Sequence, residues 1–394
     1  MRIAISGAGI AGPTLAHWLL RAGHEPTLIE KAPHPRGGGY MVDFWGVGFT
    51  VAERMGLVPA IREAGYVVRE VRLVDGRGRT AGGFSTEVFR ASLGDRFVSL
   101  PRGRLAAEIY RSVEGRCEAI FGDTIAALSE RPDSVEVTFA NRPARSFDLV
   151  IGADGLHSAV RQLAFGPEDL FERDIGYYVA AFEADGYQPR DELVYVSHAR
   201  PGRQVARFAE RGHRTLILFV FTAEHMNGAA PQDADGRKAS LHRVFGDFGW
   251  EAPRILAALD AVDDIYFDRV SQIVMPAWSK GRVALLGDAA ASVSLLAGEG
   301  CGLAMTEAYI LAGELARAGG DHAPAFAQYE QRLRPLIATK QESAHKFAGA
   351  FAPRTALGLW IRNQVTNLMA FRPLAELFLG RDLRDDIDLP DYGL

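Results

Sequence analysis

Six residues near the start of the chain, Gly7-Ala8-Gly9-Ile10-Ala11-Gly12, have the types and the spacing to cradle a pyrophosphate. Gly7 would permit the tight turn, Gly9 would let a phosphate reach the backbone, and Gly12 would let a helix pack closely on a strand. Glu30 stands 18 residues after Gly12, where a carboxylate accepts hydrogen bonds from ribose hydroxyls and repels a 2'-phosphate. Ala11 within the run and Lys31 beside Glu30 complete this part of the candidate site. Two further carboxylates, Asp154 in Gly152-Ala153-Asp154-Gly155 and Asp288 in Gly287-Asp288, each follow an apolar run that reads as a buried strand. α/β sheets bind ligands at such strand ends. After Asp288 comes Gly298-Glu299-Gly300-Cys301-Gly302 and then a helical pattern, so backbone N–H groups and a positive helix end would face whatever Asp288 binds. A reduced flavin, with negative charge near N1 and O2, suits that arrangement. The alternative is that Asp154 and Asp288 only cap helices.

The elements that must position these residues follow from the periodicity. Residues 2-6 read as a short buried strand, 12-22 as a helix stopped by Gly23, and 26-30 as a second strand, which makes a βαβ opening. Runs at 147-151 and 282-286 look like strands of the same sheet, and 303-318 reads as a helix. Residues 175-222 carry the alternating pattern of an antiparallel sheet, including Thr215 to Phe221. Residues 355-380 form an amphipathic stretch.

The expected fold class is therefore α/β. A Rossmann-like FAD-binding domain would be built from 1-70, 98-172 and 265-340, with an inserted antiparallel β-sheet substrate domain at 71-97 and 173-264. A C-terminal helical segment, 341-394, would pack across the two or serve as a surface or oligomer contact. Phe219 and Phe221 share one face of a strand and are candidates for a substrate pocket, although alternating aromatics are also what a buried strand face needs.

Composition removes several other classes. At 394 residues the chain exceeds one compact core, and 48% hydrophobic with 24% charged residues excludes a disordered or membrane-embedded class. A net charge of -5 offers no basic field for nucleic acid. Cys117 and Cys301 form no Cys-x-x-Cys, which disfavours a disulfide framework or a zinc site and fits a reducing cytoplasm. No metal is expected, because His-Glu-x-x-His is absent, and Gly-x-Ser-x-Gly is absent as well. The apolar opening is broken by three glycines and Pro13, unlike a signal peptide, and no stretch reads as a stable membrane insertion.

With these motifs in place, the chain resembles the class A flavoprotein monooxygenases, the group of para-hydroxybenzoate hydroxylase. The resemblance rests on Gly7 to Gly12 with Glu30, on Gly152-Ala153-Asp154-Gly155-Leu156-His157-Ser158-Ala159-Val160-Arg161, and on Gly287-Asp288-Ala289-Ala290 followed by Gly298-x-Gly300. Within the group it looks nearest to the tetracycline-inactivating monooxygenases, through Phe248-Gly249-Trp250-Glu251, Gln272-Ile273-Val274-Met275 and Trp278-Ser279-Lys280-Gly281-Arg282.

The resemblance implies FAD as resident cofactor and NADPH or NADH as transient electron donor. It also implies O2 as co-substrate, and hydroxylation of an aromatic or polyketide ring through a flavin C4a-hydroperoxide. It implies further that Arg102 contacts the FAD pyrophosphate region, that Asp288 holds the ribitol and phosphate side, and that Asp154 orients its loop. Asp43 and Arg36 would lie near the isoalloxazine and the adenosine half respectively. A monomer or weak homodimer is expected. The chain departs from the group at Ala291, at Ser294-Leu295 where a proline pair often lies beside the flavin, and at Glu299 between the loop glycines. Leu295 is therefore a third candidate for the substrate pocket. A dehydrogenase without oxygen insertion, or a non-catalytic flavin-binding protein, would use the same fingerprints.

Overall fold

The structure, a computed structural model, describes residues 1–35, 39–87, 96–226, 228, 230–231, 233–294, 296, 298–370 and 387–394, with backbone alone at 345–348. Strand β1 (Arg2–Ser6), helix α1 (Ala11–Arg21) and strand β2 (Glu25–Glu30) form the opening βαβ unit, with β1 and β2 parallel from Arg2↔Glu25 to Ser6↔Ile29. Every residue of α1 from Ala11 to Leu19 is buried. Its sequence is apolar nearly all round, as a helix held between a sheet and another helix must be.

Four more strands complete the first sheet, β7 (Glu118–Phe121), β11 (Leu149–Gly152), β17 (Ser279–Lys280) and β18 (Val283–Leu285). The order is β17-β18-β11-β1-β2-β7, parallel throughout except at the β17 edge. Strand β1 has β2 on one side and β11 on the other, so the winding reverses there. A crevice opens at the carboxyl ends of β1 and β11, where such sheets take their ligands.

The second sheet has seven strands in the order β16-β12-β15-β14-β13-β4-β5. They are β4 (Glu70–Val74), β5 (Thr80–Ser85), β12 (Glu172–Asp185), β13 (Val194–Arg200), β14 (Arg203–Ala209), β15 (Arg214–Thr222) and β16 (Tyr266–Ile273). Neighbours are antiparallel except β4 with β13. Strand β16 lies in this sheet, paired with β12 as Tyr177↔Val270, whereas the sequence division put 265-340 wholly with the first domain. Its half-alternating sequence, Tyr-Phe-Asp-Arg-Val-Ser-Gln-Ile, is that of a sheet with two unlike faces rather than of a fully buried parallel strand. Two small sheets were not anticipated: β3 (Met41–Phe44) with β6 (Val98–Pro101), and the meander β8 (Ile125–Glu130), β9 (Val135–Phe139) and β10 (Arg145–Phe147).

The remaining helices are α2 (Gly46–Arg54), α3 (Val58–Ala64), α4 (Arg102–Arg111), α5 (Ala159–Ala164), α6 (Ala234–Phe245), α7 (Ala252–Asp260), α8 (Asp288–Ala291), α9 (Gly300–Arg317), α10 (His322–Phe351) and α11 (Ala356–Leu368). One face of the second sheet, with Tyr178, Phe219 and Phe221, is covered by α6 and α7 and forms a core of its own. Helix α11 lies against the sheet at β5 and β13, where Asn367 Oδ1 accepts the Gly83 N–H at 3.1 Å and Arg362 Nη1 donates to Gln204 Oε1 at 3.0 Å. No helix among the described residues is long and apolar enough to cross a membrane.

Candidate cofactor and active site

The three glycines of the first loop are demanded by different things. A Cβ on Gly7, whose φ is +104°, would lie 2.3 Å from the Ala153 carbonyl oxygen, and one on Gly12 would lie 2.0 Å from the Gly7 carbonyl oxygen. Both are excluded by the protein's own packing. Among the described residues a Cβ on Gly9 would meet only the Arg102 Nη2 atom, at 3.8 Å. None of them requires glycine there, and a phosphate closing on the backbone would supply the reason. Glu30, at the end of β2 and 7% exposed, accepts the Ala8 N–H at 2.9 Å and the Ala32 N–H at 3.0 Å, so it joins the loop to the strand end. Lys31 beside it is exposed.

Two helix N-termini converge on the same crevice. Neither α1 nor α9 has a side-chain cap, which leaves their first N–H groups for an anion. A Cβ on Gly287 would touch Ala11 Cβ at 3.3 Å and Ala304 Cβ at 3.5 Å, so the Gly287-Asp288 turn is wedged between the two helices. Asp288 Oδ1 lies 3.9 Å from the Cβ position of Gly300, the first residue of α9. Gly298, at φ +72°, has open space around it.

Asp43 and Asp288 are both exposed. Burial nevertheless pushes their carboxyl pKa values up, opposed by a hydrogen bond from Ser99 to Asp43 and by the Arg102 charge and Ser292 at Asp288. Open to solvent yet surrounded by protein, they sit on the floor of a cleft. Arg102, the first residue of α4, is tied through its N–H to the Tyr40 carbonyl at 2.9 Å. Burial works against its charge, but Tyr40, Cys301, Asp288 and Tyr266 together raise its pKa above the usual value. Among the described residues no carboxylate lies within ion-pair distance of its guanidinium, which leaves it available to a phosphate.

The other sequence candidates are placed as follows. Asp154 accepts from Ser158 Oγ at 2.5 Å, from the Ala159 and Val160 N–H groups at 2.8 and 3.2 Å, and from Ser6 Oγ at 3.3 Å. It therefore organises its own loop and the start of α5. Phe219 and Phe221 have no exposed surface and pack on Phe245 under α6 and α7. The substrate-pocket reading of this pair is corrected: the face of the sheet turned to the parallel sheet is the other one, where the Tyr266 ring meets Tyr40 at a tilt of 54°, 5.7 Å between ring centres. Alternation gives two faces, and the later helices decide which is core. Arg36 and Leu295 lie outside the described residues. Glu299, one of the departures from the group, is paired with Lys340 Nζ at 2.7 Å.

Sequence reasoning assigned no role to Arg161, although it quoted the residue. Fully buried, its guanidinium donates to the Ala289 carbonyl at 3.0 Å, the Leu156 carbonyl at 2.6 Å and the Glu168 carboxylate, so it fastens the Asp154 loop to the Asp288 turn. Glu307, Tyr195 and Arg362 were not singled out at all. Their partners are distant in sequence and no local spacing marks them.

A parallel sheet with a glycine-loop crevice and two open helix ends, together with a second, largely antiparallel sheet, makes the fold of an FAD-binding protein. The residues fit FAD: Gly9 and Arg102 would meet the pyrophosphate, Glu30 the adenosine ribose, and Asp288 with the α9 N-terminus the ribityl and flavin end. The family described as FAD binding domain matches residues 1–340, and the chain belongs to it. It is 34% identical over 343 residues to a flavin-dependent monooxygenase of an unknown prokaryotic organism, covering 87% of each chain. It is 31% identical over 392 residues to a flavin-dependent monooxygenase of Legionella longbeachae, covering 100% of this chain and 98% of the other. The crystal structure of the tetracycline destructase Tet(51) superposes with a TM-score of 0.84 at 29% identity, covering 99% of both chains. The chain is an FAD-dependent monooxygenase of class A.

Arg102→Ala and Asp288→Ala are each expected to weaken FAD binding by about tenfold or more while the protein stays folded. Each removes a charge-assisted hydrogen bond contributing about 1.5–3 kcal/mol. Fluorescence titration of the apoprotein measures this, and wild-type dissociation constants in both variants would refute the assignment.

Proposed function

We propose that the enzyme takes electrons from NADPH or NADH and inserts one atom of O2 into an aromatic or polyketide ring of tetracycline-like form, held between the flavin crevice and the second sheet. One observation carries this reading. Tyr195 on β13 feels both the Asp43 carboxylate of the first domain and the Arg362 guanidinium of α11, which act on its hydroxyl in opposite senses while burial pushes its pKa up. Three separate parts of the chain, β3, β13 and α11, thus act on one hydroxyl. The likeness to a tetracycline destructase supports a fused-ring substrate.

Bound FAD supplies the redox and oxygen-activating chemistry, so the protein's tasks are to bind, orient and exclude water. Asp43 is held by Ser99 and Arg362 by Gln204 and Asn363. These groups would give a substrate's oxygens fixed donors and acceptors, with the tilted Tyr40 and Tyr266 rings beside them. No second Gly-x-Gly-x-x-Gly occurs to house a nicotinamide, so the donor visits transiently, near Asp154-Gly155. Two free thiols, Cys117 and Cys301, accord with a reducing cytoplasm.

A panel of phenols, polyketides and tetracyclines is expected to contain a compound that accelerates NADPH oxidation and gains one heavy atom from isotope-labelled oxygen gas. Unlabelled product formed while NADPH is consumed would overturn the oxygen-insertion reading and leave a dehydrogenase or an oxidase.

A further inference from the structure

We infer that Glu307 is a positioning residue for the cofactor: it fastens the Gly287 N–H from beneath and so keeps Asp288 aimed into the FAD crevice. Glu307 lies in the interior of α9 and is 1% exposed. Its Oε2 atom accepts the Gly287 N–H at 2.6 Å and the Tyr329 hydroxyl at 3.4 Å. Tyr329, on α10, shares that single O–H with the carbonyl of Leu285, the last residue of β18, at 3.1 Å. The pair therefore clamps the turn at the place where the chain leaves the sheet. Gly287 stands at φ +64° and precedes the first turn of α8. Beyond the sheet ladder its buried N–H would have no acceptor without Glu307, a loss costing as much as a hydrogen bond.

The charge state of this carboxyl matters because of what lies beside it. Burial raises its pKa to about 8, and Asp288 adds to the rise against the hydrogen bonds from Gly287 and Tyr329. At neutral pH it is an uncharged acid. Above that value a second negative charge would form behind Asp288, next to a ligand that is itself anionic. Asp288 from the turn and Tyr329 from α10 are the titratable groups that act on it. His17, buried on α1, answers instead to Arg116 and Arg21, Arg54 of α2 bonds Tyr309 and Pro390, and Asp43 of β3 answers to Ser99.

The inference rests on FAD being the ligand, and the experiment uses FAD alone. Dissociation constants are measured on apoprotein between about pH 6.5 and 9, by flavin fluorescence. FAD favours the protonated form, so affinity holds below about pH 8 and falls above it, by at most about tenfold per pH unit. Glu307→Gln keeps an acceptor for Gly287 and cannot ionise; its affinity is expected to match wild type near pH 7 and to stay level to pH 9. Glu307→Ala is expected to bind about tenfold more weakly at every pH. His157, kept protonated to about pH 9 by Asp268 and Glu168, titrates in all three proteins and cancels in the comparison. A Glu307→Gln profile that falls with pH as wild type does would overturn the inference, and that comparison decides even if Glu307→Ala does not fold. Wild type that binds no FAD at all would instead remove the cofactor reading beneath it.

Discussion

Gly9→Val should yield a folded, colourless protein. The backbone at Gly9 is not in the left-handed region, and the nearest atom to its Cβ position is the end of the flexible Arg102 side chain at 3.8 Å. The apoprotein therefore loses little. A bound pyrophosphate would have to occupy the volume of the new methyl groups. Losing two charge-assisted hydrogen bonds to phosphate costs about 3–6 kcal/mol at about 1.5–3 each, which is about a hundredfold or more in affinity. Gly12→Val makes the contrast, because its Cβ falls 2.0 Å from a carbonyl oxygen and the βαβ unit cannot close. Circular dichroism with flavin absorbance separates the two outcomes. Gly9→Val that retains a full complement of FAD would show that the loop does not face the cofactor.

Arg161→Met is the second large effect, and it acts on the fold first. Methionine fills much of the volume, but the carbonyls of Leu156 and Ala289 lose their donor inside the protein. Glu168 loses one cation and keeps another, since His157 Nδ1 remains 2.8 Å away. Removing one partner of a buried ion pair costs about 3–5 kcal/mol. The partly exposed Glu168 places this case at the lower end, about 3 kcal/mol, or a fall of about 4 °C in melting temperature for a chain of this length. FAD affinity should fall with it, because the Ala289 tether holds the turn that carries Asp288. An unchanged melting temperature would mean that water replaces the guanidinium at both carbonyls.

Local patterns carried the first sheet and its loop. A glycine run between a strand and a helix, with Glu30 at the next strand end, depends on neighbours within about thirty residues. The second sheet was legible as alternation, but which face turned to the ligand was not. Phe219 and Phe221 are chemically as good for a pocket as for a core, and only the later packing of Phe245 against them settles it. Residues 266–273 carried no strand reading of their own, only a place within 265-340, and the structure sets them as β16 in the second sheet. Arg161, Glu307 and Tyr329 act through carbonyls and N–H groups brought near by the fold, and such contacts leave no spacing to read. Asp154 carried the expected position, and its oxygens are spent on its own loop.

The central place of β1 has a consequence for synthesis. The strand made first is hydrogen-bonded on one side to β2, but on the other it waits for Leu149 to Gly152, and the crevice it helps form also needs Asp288 and Gly300. At roughly 5–20 residues per second on the ribosome, the opening βαβ unit spends about 15–60 s without the segments that finish the cofactor site. FAD cannot rescue the nascent chain during that interval, since its binding surface does not yet exist. Loading then waits until Gly300 has been made, and the opening strands must persist through that interval without help from the cofactor.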